Sequence, residues 1–171
     1  MTIHAEAREK AHFYQIGTEK FIELSLCSFG LFGFYWTYAN WQQIQRQGED
    51  ISPLWRTLLA IVYQFDLYRR IHQQATELQE KPRWQPVRIY VLWVVFTTMP
   101  IWFLLNNHPW GSIVLLLSLL PNLLANQSIN RLHDHVLHFY AQNTDLKAFD
   151  WGIIIAGLIA WLTLLVAAIF Y

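Results

Sequence analysis

Polar and apolar positions along this chain sort into five hydrophobic stretches joined by polar connectors. Residues 89–130 and 151–171 contain no Asp, Glu, Lys or Arg. A hydrocarbon core about 30 Å thick takes roughly 20 mostly apolar residues per helix. Residues 151–171 therefore fit one span. Residues 89–130 fit two, with NNHPW at 106–110 as the turn. The pattern predicts helices over 87–105, 111–127 and 151–171.

The first stretch, 21–41, carries Glu23 as its only charge and is rich in aromatic rings. As one helix it would be about 30 Å long, enough to cross once. Tyr35, Trp36, Tyr38 and Trp41 suit an interface, where amphipathic rings settle at headgroup depth. Gly30 and Gly33 leave two arrangements open. They let a neighbouring helix approach closely, or they break the stretch into a re-entrant hairpin. No proline or polar turn sits at the midpoint, so a single span is expected.

The remaining stretch, 54–71, follows a helix-start signal, with Ser52 placed to cap and Pro53 at the first helical position. Charges at Arg56 and Asp66 make it too short for a charge-free span. Leu54, Leu58, Ile61, Val62, Phe65 and Tyr68 recur at helical spacing and form one apolar face. This predicts a helix lying in the interface, or one lining a bundle. Asp66 precedes Arg69 and Arg70 at the separations that favour a helical ion pair.

Residues 1–20 form a polar lead, with helix expected over 5–13. They lack the apolar core of a signal peptide, so the first hydrophobic stretch is expected to be retained. Residues 21–171 then form one membrane domain, an all-α integral membrane bundle of four or five hydrophobic helices. Five of the 12 basic residues (Arg69, Arg70, Lys81, Arg83 and Arg88) lie in or beside the loop at 73–86. The positive-inside rule places that loop in the cytoplasm, together with 128–150, and the C-terminus outside. The side of the N-terminus depends on how many of the first two elements cross.

Composition narrows the chemistry. The chain is 54% hydrophobic and only 14% charged, and its formal net charge is zero. A soluble domain carries about 25% charged residues. Nothing in the charge suggests a nucleic-acid partner. Cys27 is the one cysteine, which excludes an intramolecular disulfide and a multi-cysteine zinc site. It lies in apolar sequence with no adjacent base, and G-x-S-x-G and glycine-rich phosphate loops are absent.

Two clusters remain as candidate sites. Asn122, Asn126 and Asn130 are spaced by four and share a helix face behind Pro121. Polar groups at membrane depth must find partners, so this stripe lines a solute path or acts as hydrogen-bonding glue between helices. With Asp66, Arg69 and Arg70 they are the polar intramembrane candidates. His133, Asp134, His135 and His138 are spaced so that imidazoles could meet one metal ion, with His72 as a further ligand. Histidines near an interface also serve as titrating surface groups. Gly152, Ala156 and Ala160 make a small-residue stripe suited to helix packing. Pro100 falls mid-span and is expected to kink its helix.

The segment carrying Lys20, Phe21, Phe29, Gly30, Tyr35, Trp36, Tyr38, Asn40 and Trp41, followed by Ile51, Ser52, Pro53, Trp55 and Arg56, resembles a group of small bacterial inner-membrane proteins. The likeness covers about residues 13–72, departing at Ser28 and Phe32. It implies a multi-pass protein of the bacterial cytoplasmic membrane and carries over no catalytic residue. The lack of catalytic motifs and the packing surfaces make the expected role non-enzymatic, without a cofactor: a subunit, scaffold or modulator of an inner-membrane assembly. Its partners would be the bilayer and other membrane proteins or copies of itself. The alternative is a small oligomeric transporter or channel-like protein lined by Asp66, Asn122, Asn126 and Asn130. A membrane-embedded metal protein or enzyme using the histidines comes third.

Overall fold

The computed structural model describes residues 13–78, 81–106, 114–136 and 143–170. Among these the chain is all-helical, with no strand. Its α-helices are α1 (Thr18–Cys27), α2 (Phe32–Arg46), α3 (Pro53–Leu58), α4 (Ala60–Glu77), α5 (Pro86–Leu105), α6 (Leu119–Val136) and α7 (Ala148–Phe170). A 3₁₀ turn, Leu116–Ser118, leads into α6. It lies just ahead of Pro121, whose missing N–H interrupts the helical ladder there. The helix expected over residues 5–13 falls almost wholly outside the described residues.

The stretch expected as one helix over 21–41 is two. After α1 the backbone turns left-handed at Phe29 (φ 53°) and Gly30 (φ 85°). Gly30 N–H donates to the Ser25 carbonyl at 2.7 Å, and Phe29 N–H to the Leu26 carbonyl at 3.3 Å. These are the two bonds of a Schellman stop. Ser28 Oγ then accepts from the Phe32 N–H at 2.8 Å and helps start α2. The chain folds back on itself: Phe21 of α1 meets Phe32 and Trp36 of α2 edge to face. The backbone N–H of Tyr14, ahead of α1, donates to Asn40 late in α2 at 3.1 Å. Both ends of this hairpin therefore lie together.

The hairpin leans along α7. Phe29 stacks on Trp161 with ring centroids 4.4 Å apart. The Trp161 indole N–H donates to the Leu26 carbonyl at 3.1 Å. Trp161 sits about 20 Å along α7 from Ala148, at 1.5 Å per residue, so the hairpin tip stops short of the far end. Gly157 lets the backbones touch: a Cβ there would collide with the Cys27 carbonyl. The expected small-residue stripe is not the face in use, since Gly152 and Ala156 are exposed.

The expected 54–71 helix is also divided, because Leu59 leaves helical geometry (φ −96°, ψ 37°) between α3 and α4. Ser52 and Pro53 occupy the expected cap and first position, but the Ser52 side chain makes no capping bond. α4 meets α5 near the start of α5: Phe65 packs on Tyr90, whose hydroxyl donates to the Ile61 carbonyl at 2.5 Å. Tyr68 and His72 pack edge-on to Trp84, just before α5. The core lies where α1, α2, α4 and α6 converge, filled by Phe21, Trp36, Leu67, Tyr68, Ala125 and Ile129.

One helix among the described residues, at Pro86–Phe103, is long and apolar enough to cross a membrane, and Ala148–Thr163 is a shorter apolar run. Both expose large side chains, including Val91, Val95 and Trp102 on α5 and Ile155, Ile159 and Leu162 on α7. Among the described residues the structure is thus an all-helical bundle with two outward-facing apolar helices, α5 and α7, in which the α1–α2 hairpin lies along α7 as far as Trp161 and α2 and α4 pack on α6 from Asn122 onward.

Candidate functional site

Asn122, Asn126 and Asn130 lie along one side of α6, all buried. The first two are tied to other helices. Asn122 Oδ1 accepts from the Tyr68 hydroxyl at 2.6 Å and from Gln64 Nε2 at 3.1 Å. Gln64 Oε1 in turn lies 3.2 Å from the Thr37 hydroxyl, which also reaches the Gly33 carbonyl at 3.0 Å. Asn122 packs directly over Gly33: a Cβ there would come within 2.7 Å of Asn122 Nδ2. One asparagine therefore joins α2, α4 and α6. Complete burial pushes the Tyr68 phenol far above its ordinary pKa, so it remains a donor.

Asn126 accepts from the Trp36 indole N–H at 3.1 Å and donates to the Ile16 carbonyl at 3.0 Å. It fixes α2 and the lead into α1 against α6. Asn130 is different. Its Nδ2 donates to Thr18 Oγ1 at 3.3 Å, but its Oδ1 has no partner.

Asp66 forms the expected i, i+4 pair with Arg70 (Nε to Oδ2, 3.0 Å) and a second with Arg56 at 3.3 Å. Arg70 also pairs with Glu49. Arg69 is exposed and stands outside this group. The guanidinium of Arg56 lies 4.4 Å from the centroid of the buried Trp41 ring, with Arg70 at 5.8 Å. These charges hold the α2–α3–α4 corner from its half-buried edge.

His133 is buried rather than at the surface, and its Nδ1 lies 2.8 Å from the Ile129 carbonyl. The His135 side chain and His138 lie outside the described residues. Among those described, no three His, Cys, Asp or Glu side chains gather into a group able to hold a metal.

Sequence reasoning missed Lys20 and Asp150 as a pair. Lys20 Nζ lies 2.7 Å from Asp150 Oδ2, with side chains only 3% and 10% exposed. It also donates to the Asp145 carbonyl at 2.7 Å and to Asn143 Oδ1 at 3.3 Å. Asp150, in the first turn of α7, accepts from the Lys147 N–H at 2.8 Å, as the acid of a capping box does. A single Lys in the polar flank of an apolar stretch was the available signal. Nearby, Tyr14 is held above its ordinary pKa by burial, then by the charges of Tyr35 and Asp150.

Compared with family models, curated proteins and solved structures, the chain finds no match.

Proposed function

We propose that this chain is a non-enzymatic, multi-pass component of a bacterial cytoplasmic membrane, acting as a subunit, scaffold or modulator of a larger assembly. One observation carries the reading. The buried polar side chains that could serve chemistry at the centre, Asn122, Asn126, Gln64 and Tyr68, bind one another and the backbone across helices. The apolar side chains of α5 and α7 face outward instead. Such surfaces suit lipid and neighbouring membrane helices.

In this reading α5, α6 and α7 cross the bilayer. The α1–α2 hairpin enters from the side of the loops at 73–86 and 128–150 and returns to it. α4 lies across that end. The N-terminus is then cytoplasmic, the outcome that charge alone left open. The resemblance of residues 13–72 to small inner-membrane proteins supports the same location.

The test is gentle purification from native membranes at native expression, with mass spectrometry of what co-purifies, alongside Asn126→Leu. A reproducible protein partner, weakened by Asn126→Leu without any change in solute flux in proteoliposomes, is the expected result. A homo-oligomer whose flux changes while its assembly survives would replace this reading with a transporter.

A further inference from the structure

Six large apolar side chains crowd the outside of the α3–α4 corner: Leu54, Trp55, Leu58, Leu59, Ile61 and Val62, each at least half exposed. Between Arg56 and Asp66 the chain carries no charge. The charges that bound this run are turned onto each other, with Arg56 over Trp41. Gln64 is instead fully buried, on the side that meets α2 and α6. A helix facing water has the opposite arrangement, polar outside and apolar inside. Single exposed leucines are common, but a contiguous group marks a surface that something apolar covers.

Two neighbours of the patch indicate what covers it. The first is α5. Tyr90, in its second turn, donates its hydroxyl to the Ile61 carbonyl and meets Phe65 edge to face, with ring centroids 5.6 Å apart. Val87 and Val91, on either side of Tyr90 in sequence, are exposed. The patch therefore runs onto the outward apolar face of α5, the helix long enough to cross a membrane. The second is a pair of arginines. Arg69 and Arg88 are exposed and make no ion pair or side-chain hydrogen bond among the described residues. Arg69 follows Val62 by two turns on the same side of α4, and Arg88 sits about 3 Å along α5 from Tyr90. The patch is thus level with the start of α5, where a crossing helix meets phosphates. Asp66 and Glu49 are already held by Arg56 and Arg70. Asp50 precedes α3, at the other end of this stretch from Arg69.

We propose that the α3–α4 corner is seated in the leaflet on the side of the loops at 73–86 and 128–150, and that its partner is anionic phospholipid. Trp55, Leu58 and Val62 lie among the upper acyl chains, as the apolar face of an interfacial helix does. Arg69 and Arg88 meet the phosphates, with their apolar stems beside the patch. A second copy of the chain fits less well, because a two-fold contact through this patch would bring the same unpaired arginines of both copies to one seam. The proposal rests on the membrane reading given above, which supplies the bilayer.

The full-length protein, in a Cys27→Ala background, would carry a nitroxide at Leu58→Cys, Val62→Cys or Val95→Cys and be reconstituted in vesicles of phosphatidylcholine and phosphatidylglycerol. Collision with oxygen and with a water-soluble nickel chelate gives the depth of each label. Position 95, in the third turn of α5, tests whether that helix crosses; 58 and 62 test the corner. The expected result is a deep label at 95 and shallower ones at 58 and 62, all shielded from the chelate. Labels at 58 and 62 open to the chelate while 95 is shielded would overturn the proposal and leave the membrane reading standing. All three open to it would remove both. Labels at 58 that broaden one another, and sharpen on dilution with unlabelled protein, would assign the patch to a second copy instead. The lipid retained in native mass spectrometry should favour phosphatidylglycerol over phosphatidylcholine. Arg69→Gln with Arg88→Gln should reduce that preference by about fivefold for each arginine, the usual contribution of a basic residue near an anionic surface. Both side chains are exposed, so the circular dichroism of the double variant should match the parent. A preference that the double substitution leaves unchanged would overturn the anionic partner.

Discussion

Gly157 has no side chain, and the Cys27 carbonyl occupies the space where one would begin. Gly152, one and a half turns earlier, faces open space. Alanine should therefore act oppositely at the two positions. Gly157→Ala must push the hairpin off α7, at about 1–3 kcal/mol, the usual range for overpacking. Gly152→Ala should be neutral or stabilise by up to about 1 kcal/mol through helix propensity. Thermal unfolding in detergent separates them, and equal shifts would show that the hairpin does not rest on Gly157. The asparagines make a similar contrast with expectation. Their spacing on one face of α6 was legible, as was their need for partners. The partners were not, because Trp36, Gln64 and Tyr68 become partners only once α2 and α4 present particular faces. Asn126→Leu should strand the Trp36 indole N–H and the Ile16 carbonyl together. The expected loss is about 2–4 kcal/mol in the same unfolding measurement.

Among the elements, hydrophobic length decides α5 and α7 but not the bounds of α6, expected over 111–127 and found at Leu119–Val136, and the turns are less legible still. α5 and α7 follow from long charge-free runs. The break at 28–31 does not, because it uses Phe29 in a left-handed conformation that normally favours glycine. Stacking on Trp161 helps hold that residue in place, and Trp161 lies far away in sequence. The flanking Ser28 and Gly30 were the only local signs. In the membrane arrangement proposed above, this break decides which residues share a side of the bilayer. In a Cys27→Ala background, Gln47→Cys and Thr144→Cys should react with an impermeant thiol reagent from the same face. Asn106→Cys should react from the opposite one. Positions 47 and 144 labelled from opposite faces would mean that the first stretch crosses completely.

Across the whole molecule, the Lys20–Asp150 pair fastens the first turn of α1 to the first turn of α7. Both charges are buried, so removing one leaves the other uncompensated. Lys20→Met should cost about 3–5 kcal/mol. Adding Asp150→Asn, which keeps an acceptor for the Lys147 N–H, should restore a substantial part. If the double variant unfolds no later than the single one, the pair is not the fastening. By itself, the sequence determined the helical class, the apolar lengths of α5 and α7, and the polar stripe on α6, since each is a periodicity or a run length within one segment. Only the tertiary structure decided that the first stretch doubles back, which groups satisfy the stripe, that Lys20 meets Asp150, and which side of the α3–α4 corner stays exposed. Those depend on distant segments meeting, through backbone turns, close glycine contacts and hydrogen bonds that no single segment contains.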